Sequence, residues 1–152
     1  DAFGILRERL KDTNLVIVGD GEEKEDLVNY VESLGLDKEI LFTGPLANPY
    51  SLMAKSMLIT LTSISEALPT VIIEAFALGK TVVSTPTCGA IDLLSGGEYG
   101  YLTKRFDNPI EFAELMEKAV ALPIDQKKLV DRANFFAVEN QSTELIHLLN
   151  HL

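Results

Sequence analysis

Four short apolar runs punctuate this chain: Leu15-Val16-Ile17-Val18-Gly19, Ile40-Leu41-Phe42-Thr43, Leu58 to Thr62, and Thr81-Val82-Val83-Ser84. A strand with one wet face alternates apolar and polar residues. A run that barely alternates has both faces covered, as a parallel strand between helices does. Between the runs, apolar residues recur at helical spacing, as in Leu27, Tyr30, Val31 and Leu34. Parallel neighbours need a crossover connection, usually a helix. The pattern therefore predicts one α/β domain over residues 1–152, a parallel sheet with helices on both faces.

Local signals mark the elements. Phe3, Leu6 and Leu10 predict an opening helix over residues 3–11. The helix around Leu27–Leu34 stops at Gly35, and Asn48-Pro49 opens a short one over Tyr50–Met57. Pro69 to Leu78 reads as a buried helix with Gly79 past its end. A short helix is predicted near Ala90–Leu94, then an edge strand at Gly100–Thr103, with Gly96 to Gly100 as a loop. Asn108-Pro109-Ile110-Glu111 combines cap, first-turn proline and acid in a capping-box arrangement. It opens a helix whose Phe112, Leu115, Met116 and Ala119 form one apolar stripe. Two more helices are predicted near residues 125–137 and 140–151.

Composition excludes several classes. With 13 basic and 23 acidic residues the net charge is −10, which repels phosphate backbones and anionic membrane alike. No apolar run approaches the roughly 18 residues that would span a bilayer. Cys88 is the only cysteine, so no internal disulfide forms and a reducing cytosol is expected. The only histidines are His147 and His151, four apart in the last predicted helix, where a surface or packing role is expected. No transition-metal site is expected from one cysteine and two histidines. The chain opens Asp1-Ala2-Phe3-Gly4, without Met or a signal-peptide pattern, and reads as a piece excised from a longer polypeptide.

Ligands of parallel sheets bind beyond the carboxyl ends of the strands. Gly19, Thr43-Gly44, Thr62-Ser63 and Ser84-Thr85 fall there. Gly19-Asp20-Gly21 invites a dinucleotide fingerprint, but the third glycine is replaced by Lys24, and Glu22 and Glu23 would meet the pyrophosphate. It reads instead as a tight strand-to-helix turn. No Walker A sequence is present. Ser84-Thr85-Pro86-Thr87 carries hydroxyls that either meet a ligand or serve caps and turns. Cys88 has no histidine near it in sequence to act as a base.

The segment from Ser63 to Gly79 says more. It holds two acids eight residues apart, Glu66 and Glu74. Glu74 lies among Val, Ile, Ala, Phe and Leu, and no Lys or Arg stands between Lys55 and Lys80 to pair with it. A carboxylate buried without a polar partner is costly. Pro69 suits a first helical turn, which leaves the amides of Thr70, Val71 and Ile72 free to hold an anion. Phosphate donors flanked by carboxylate acceptors would suit a sugar joined to a diphosphate. The same spacing is also met by a solvated Glu66 and a Glu74 that points off the helix edge.

These motifs together resemble the C-terminal half of the group 1 glycosyltransferases, retaining enzymes of the GT-B fold that use nucleotide-sugar donors. The likeness runs from about residue 1 to residue 150. Leu15 to Gly21 resembles the family's strand and glycine turn, with Gly19 and Gly21 in it. Ile40 to Gly44 resembles its next strand, Glu66 to Glu74 its E-x7-E motif followed by Ala75 to Val83, and Gly96 to Leu102 its downstream glycine segment. Pro69-Thr70 and Gly89 to Leu94 resemble the branch that builds capsule, exopolysaccharide or lipopolysaccharide.

The resemblance implies a Rossmann-like sheet and assigns roles. Glu66 would be the catalytic residue, facing the transferred sugar at the reacting end of the cleft, and Glu74 would accept from the ribose hydroxyls. Backbone around Leu68, Pro69, Thr70 and Val71 would hold donor-sugar hydroxyls and the diphosphate. Phe42, Thr43, Gly44 and Leu46 would lie beside the nucleobase. The donor is a substrate, and no cofactor or metal is implied. The acceptor, a glycan or lipid-linked sugar, would be met through an N-terminal domain outside these residues. That places the whole enzyme in the cytoplasm, or peripherally at the inner membrane face. A GT-B relative such as a sugar-nucleotide epimerase or phosphorylase, or a non-catalytic nucleotide-sugar-binding module, is the alternative.

Two departures stand out. The family usually has Gly where this chain has Ala67; if that residue needed positive φ, Ala would cost roughly 1 kcal/mol. The family's first strand, with its glycine and Arg/Lys pair, would precede residue 1. A gap between the Leu15 and Leu58 strands is expected where that strand belongs, and these residues alone are expected to lack transferase activity.

Overall fold

The structure, a computed structural model, describes residues 1–137. The predicted helix at 140–151, with His147 and His151, lies outside the described residues. In chain order the elements are α1 (Ala2–Arg9), β1 (Leu15–Val18), α2 (Lys24–Ser33), β2 (Ile40–Gly44), α3 (Tyr50–Lys55), β3 (Ile59–Leu61), α4 (Thr70–Ala77), β4 (Val82–Ser84), α5 (Cys88–Leu93), β5 (Tyr101–Leu102), α6 (Pro109–Ala121) and α7 (Gln126–Phe135). A single 3-10 turn, Ser95–Gly97, stands in the predicted glycine loop.

Every strand pairing is parallel, as the apolar runs required. The strands form two sheets: β1 with β2, and β3-β4-β5 in that order. Leu15 pairs with Ile40 and Ile17 with Phe42; the register then slips, so that Val18 faces Gly44. In the second sheet Ile59 pairs with Val82 and Val83 with Tyr101. No ladder joins β1 to β3, so the expected break in the sheet is present.

β4 shows why its sequence does not alternate. Successive strand residues point to opposite faces. Val82 packs with Ile72 and Phe76 of α4 and Leu129 of α7. Val83 packs with Phe112 and Met116 of α6 and with Phe3 and Leu6 of α1. Both valines are fully buried. β1 and β3, each with a neighbour on only one side, stay partly exposed. Leu15, Ile40 and Leu58 pack against the same α1–α6 cluster as Val83, which ties both sheets to one core.

Several expectations need correction. Leu27, Tyr30, Val31 and Leu34 recur at helical spacing, yet Leu27, Tyr30 and Leu34 are each more than 40% exposed, and of α2 only Val31 is buried. No other described element packs extensively along α2, so most of the stripe stays in solvent. Pro69 is the N-cap of α4 rather than its first turn, with extended ψ 93°. The capping box is half formed: Asn108 accepts from the Glu111 amide at 3.1 Å. Glu111 Oε2, in turn, accepts from the Lys104 amide and Asn108 Nδ2 instead of the cap's own N–H. α5 starts at Cys88, two residues early, because the Thr87 hydroxyl accepts from the Ala90 amide.

Candidate functional site

Two groups of residues gather at the carboxyl ends of the strands. The first is the glycine turn and its neighbour. Gly19 has φ +127° and its amide donates to the Gly44 carbonyl at 3.0 Å. Gly44, buried at φ +69°, closes the register slip. Only glycine takes such angles without steric cost. Gly21 does not have positive φ; its amide donates to Asp20 Oδ1, and Asp20 pairs with Lys24 at 3.3 Å. The turn is thus the tight connection the sequence suggested. Phe42 and Thr43 are half-buried, and the Thr43 hydroxyl donates to the Gly44 carbonyl at 2.9 Å. Leu46, on the following loop, is exposed.

The second group is built around the β3–α4 loop. Glu66 is half-buried, and its Oε1 accepts from the Ser63 hydroxyl at 3.0 Å. Leu68 is exposed and Pro69 buried. α4 starts without a side-chain cap. Among the described residues the amides of Thr70 and Val71 have no acceptor, whereas the Ile72 amide is taken by the Pro69 carbonyl at 3.0 Å. The sequence counted three free amides at this helix start; the bend at Pro69 uses one of them. An uncapped helix start with free N–H groups carries partial positive charge and favours an anion.

Glu74 lies on the flank of α4. Its neighbours one position either way and two positions on, Ile73, Ala75 and Phe76, belong to or line the core, while Ala77 and Thr70 are exposed. The carboxylate is half-buried and has no hydrogen-bond or ion-pair partner among the described residues. This is intermediate between the two placements the spacing allowed. No hydrogen bond links the Gly19–Gly44 group to the Glu66 group among the described residues.

Ala67 is not strained, since Ser95 is the only non-glycine residue with positive φ among those described. A close approach that requires glycine lies opposite, at position 89. Gly89, at the start of α5, donates its amide to the Glu66 carbonyl at 3.1 Å. A Cβ there would stand 2.4 Å from the Ala67 carbonyl oxygen. Behind the loop, buried Thr85 donates its hydroxyl to the Ser63 carbonyl at 2.6 Å. Sequence reasoning did not pick out Ser63, Thr85 or Gly89 as partners of Glu66. A glycine inside a predicted helix was the one available signal.

A shallow depression lined by Tyr99, Lys127, Lys128, Arg132 and Phe135 lies elsewhere. Tyr99 precedes β5, and the amide of Ile124, just before α7, donates to Thr81 ahead of β4. That depression therefore belongs to the amino ends of the strands, away from the glutamates. Among the described residues no helix is long and apolar enough to cross a membrane.

Parallel strands, helices on both faces and an uncapped helix start beyond the strand tips define a doubly wound α/β domain. Its structural neighbours are GT-B glycosyltransferases. The chain belongs to the glycosyl transferases group 1, whose family pattern matches residues 1–134. It is 29% identical over 143 residues to an uncharacterized glycosyltransferase of Methanocaldococcus jannaschii, covering 85% of this chain and 34% of that protein. It is 37% identical over 98 residues to the N-acetylgalactosamine-N,N'-diacetylbacillosaminyl-diphospho-undecaprenol 4-alpha-N-acetylgalactosaminyltransferase of Campylobacter jejuni, covering 63% of this chain and 27% of that enzyme. Among solved structures, Anabaena HepE in complex with UDP superposes with a TM-score of 0.73 at 27% identity, over 97% of this chain and 44% of HepE. The chain thus spans about a third of the length of these curated relatives.

Proposed function

We propose that this chain is the donor-binding part of a retaining glycosyltransferase. The whole enzyme would move a sugar from a nucleoside diphosphate to a glycan or lipid-linked acceptor in surface-polysaccharide synthesis. The observation that carries this is the pair Glu66 and Glu74 on either side of the uncapped start of α4, in a member of this family. HepE has been captured with UDP and with UDP-glucose, which supports a nucleotide-sugar donor here. The name of the Campylobacter jejuni relative includes a diphospho-undecaprenol acceptor, and another relative is a Vi polysaccharide biosynthesis protein of Salmonella typhi. Both support the polymer branch.

In this reading the diphosphate sits against the Thr70 and Val71 amides, with Leu68 and Pro69 shaping the approach. The Glu74 carboxylate accepts from ribose hydroxyls, which meets its lack of a protein partner. Gly19, Gly44 and Leu46 border the base, and Glu66 faces the sugar. In the transfer, the bond from the anomeric carbon to the diphosphate oxygen breaks and the diphosphate leaves with the electron pair. The acceptor oxygen bonds to that carbon and its proton passes to the departing diphosphate. Negative charge grows on the leaving phosphate, where the helix-start amides are placed to stabilise it.

The break in the sheet fits a further strand of the parent polypeptide. α1 leads into β1 and packs on α6, over the face of β4 that carries Val83. A strand feeding α1 would make a right-handed crossover unit with β1 and fill the space towards β3. A second domain of the parent would bring the acceptor, so the 152 residues alone are expected to turn over no donor. The test is sugar transfer by the full-length polypeptide, assayed across a panel of nucleotide sugars. Transfer from at least one donor, abolished by Glu66→Gln, is expected. Wild-type transfer by Glu66→Gln would overturn the assignment.

A further inference from the structure

We propose that the segment from Thr85 to Gly89 is a template that fixes Glu66 in its working orientation, with Gly89, Thr85 and Ser63 as positioning residues. The proposal rests on the reading of Glu66 as the group that faces the transferred sugar. It goes beyond that reading by saying what holds the carboxylate there.

Glu66 is gripped twice from one direction. Its main-chain carbonyl accepts from the Gly89 amide at 3.1 Å, and its Oε1 accepts from the Ser63 hydroxyl at 3.0 Å. Ser63 is itself held, because its carbonyl accepts from the Thr85 hydroxyl at 2.6 Å. Thr85 is 3% exposed, and its amide donates to the Leu61 carbonyl at 3.0 Å. A buried residue at the tip of β4 thus anchors Ser63 of the loop, and the first turn of α5 anchors Glu66. Glu66 Oε2 has no partner among the described residues. One oxygen is fixed and the other is left for a hydroxyl.

Gly89 is glycine for space. Its φ is not in the left-handed region. A Cβ at this position would lie 2.4 Å from the Ala67 oxygen, 2.6 Å from Pro69 Cδ and 2.8 Å from the Ala67 carbonyl carbon. Two of these atoms are backbone and the third belongs to a proline ring, so none can swing aside as a flexible side chain would. Any larger residue must push the Glu66–Pro69 loop off α5. That movement would carry Glu66 and the entry to α4 with it. A glutamate side chain has three free torsions, and an unheld one reaches a productive geometry only part of the time. Misplacement of a reacting group by about 1 Å can cost on the order of 100-fold in rate.

The experiment uses the full-length enzyme with Ser63→Ala, Ser63→Thr, Thr85→Val and Gly89→Ala. Initial rates give kcat, calorimetry gives Kd for the nucleoside diphosphate, and hydrogen exchange follows the amides of the 64–69 segment, in which Pro69 carries none. Ser63→Ala is expected to lower kcat about tenfold with Kd within about twofold, and Ser63→Thr, which keeps the hydroxyl, to restore it. Gly89→Ala is expected to lower kcat about 100-fold and to speed exchange in residues 64–69 alone. If Gly89→Ala does not fold, Ser63→Ala and Thr85→Val carry the test. Wild-type kcat in both of these overturns the proposal. Equal losses in kcat, Kd and thermal midpoint also overturn it, because they show general destabilisation. A wild-type enzyme that binds no nucleotide sugar would sink the functional reading instead. In that case unchanged exchange at residues 64–69 in all variants would show independently that no template exists.

Discussion

Two threonines should respond in opposite directions to the same substitution. Thr81 and Thr103 are 2% and 3% exposed, at the start of β4 and the end of β5. The Thr81 hydroxyl accepts from the Ile124 amide at 2.9 Å and so ties the approach to α7 onto the sheet. The Thr103 hydroxyl has no partner among the described residues. Thr→Val replaces the hydroxyl by a methyl of nearly the same shape, so packing changes little and the hydrogen-bond account dominates. At position 103 the change removes an unpaired buried polar group, which should stabilise by about 1–2 kcal/mol. At position 81 it leaves the Ile124 amide without its acceptor and should destabilise by about 1–3 kcal/mol. For a domain of this size each kcal/mol moves Tm by about 2–4 °C. Thr103→Val should therefore melt roughly 2–8 °C higher and Thr81→Val roughly 2–12 °C lower. Urea unfolding gives the free energies directly, and unchanged m-values would confirm that only the folded state has altered. A destabilised Thr103→Val would refute the reasoning, since it would show that the hydroxyl makes a bond worth more than its burial costs.

Other outcomes follow from the same contacts. Phe76→Ala empties a fully buried site between Ile72, Val82 and Leu129 and should cost about 3–5 kcal/mol in urea unfolding. Asn108→Ala removes the side chain that caps α6 and should cost about 0.5–2 kcal/mol. The Asp107 carboxyl is held below the ordinary carboxylate range by the hydrogen bond from Arg105 and then by its charge. A lowered folded-state pKa stabilises at pH above the unfolded value and loses that contribution as pH falls through the folded value. The pair is exposed, so an NMR titration of Asp107 should show the low midpoint return towards the ordinary value in Arg105→Gln or high salt.

What the sequence reveals and what it hides divides along physical lines. The parallel strands were legible because burial on both faces removes alternation, as at Val82-Val83. Helix ends were legible where one residue type is required, as at Asn108 and Gly79, the latter with φ +64°. The E-x7-E pair was legible as a motif. What holds Glu66 was not, because Gly89, which bonds its carbonyl, and Thr85, which anchors its partner Ser63, lie far along the chain and no periodicity links them. The exposure of Leu27, Tyr30 and Leu34 was equally hidden. It depends on how little of the fold packs along α2, and helical spacing carries no information about that. Pro69 falls one position earlier than its propensity suggests, since the loop pinned on α5 sets where the helix can begin.

The central claim is that Glu74, half-buried and without a protein partner, receives the hydroxyls of a nucleotide. The direct measurement is calorimetric titration of the full-length protein, wild type and Glu74→Ala, with a panel of nucleoside diphosphates. Loss of hydrogen bonds to a charged acceptor should weaken binding by about 1.5–3 kcal/mol, roughly 10- to 150-fold, with the fold intact. Equal affinity in the two proteins would contradict the account.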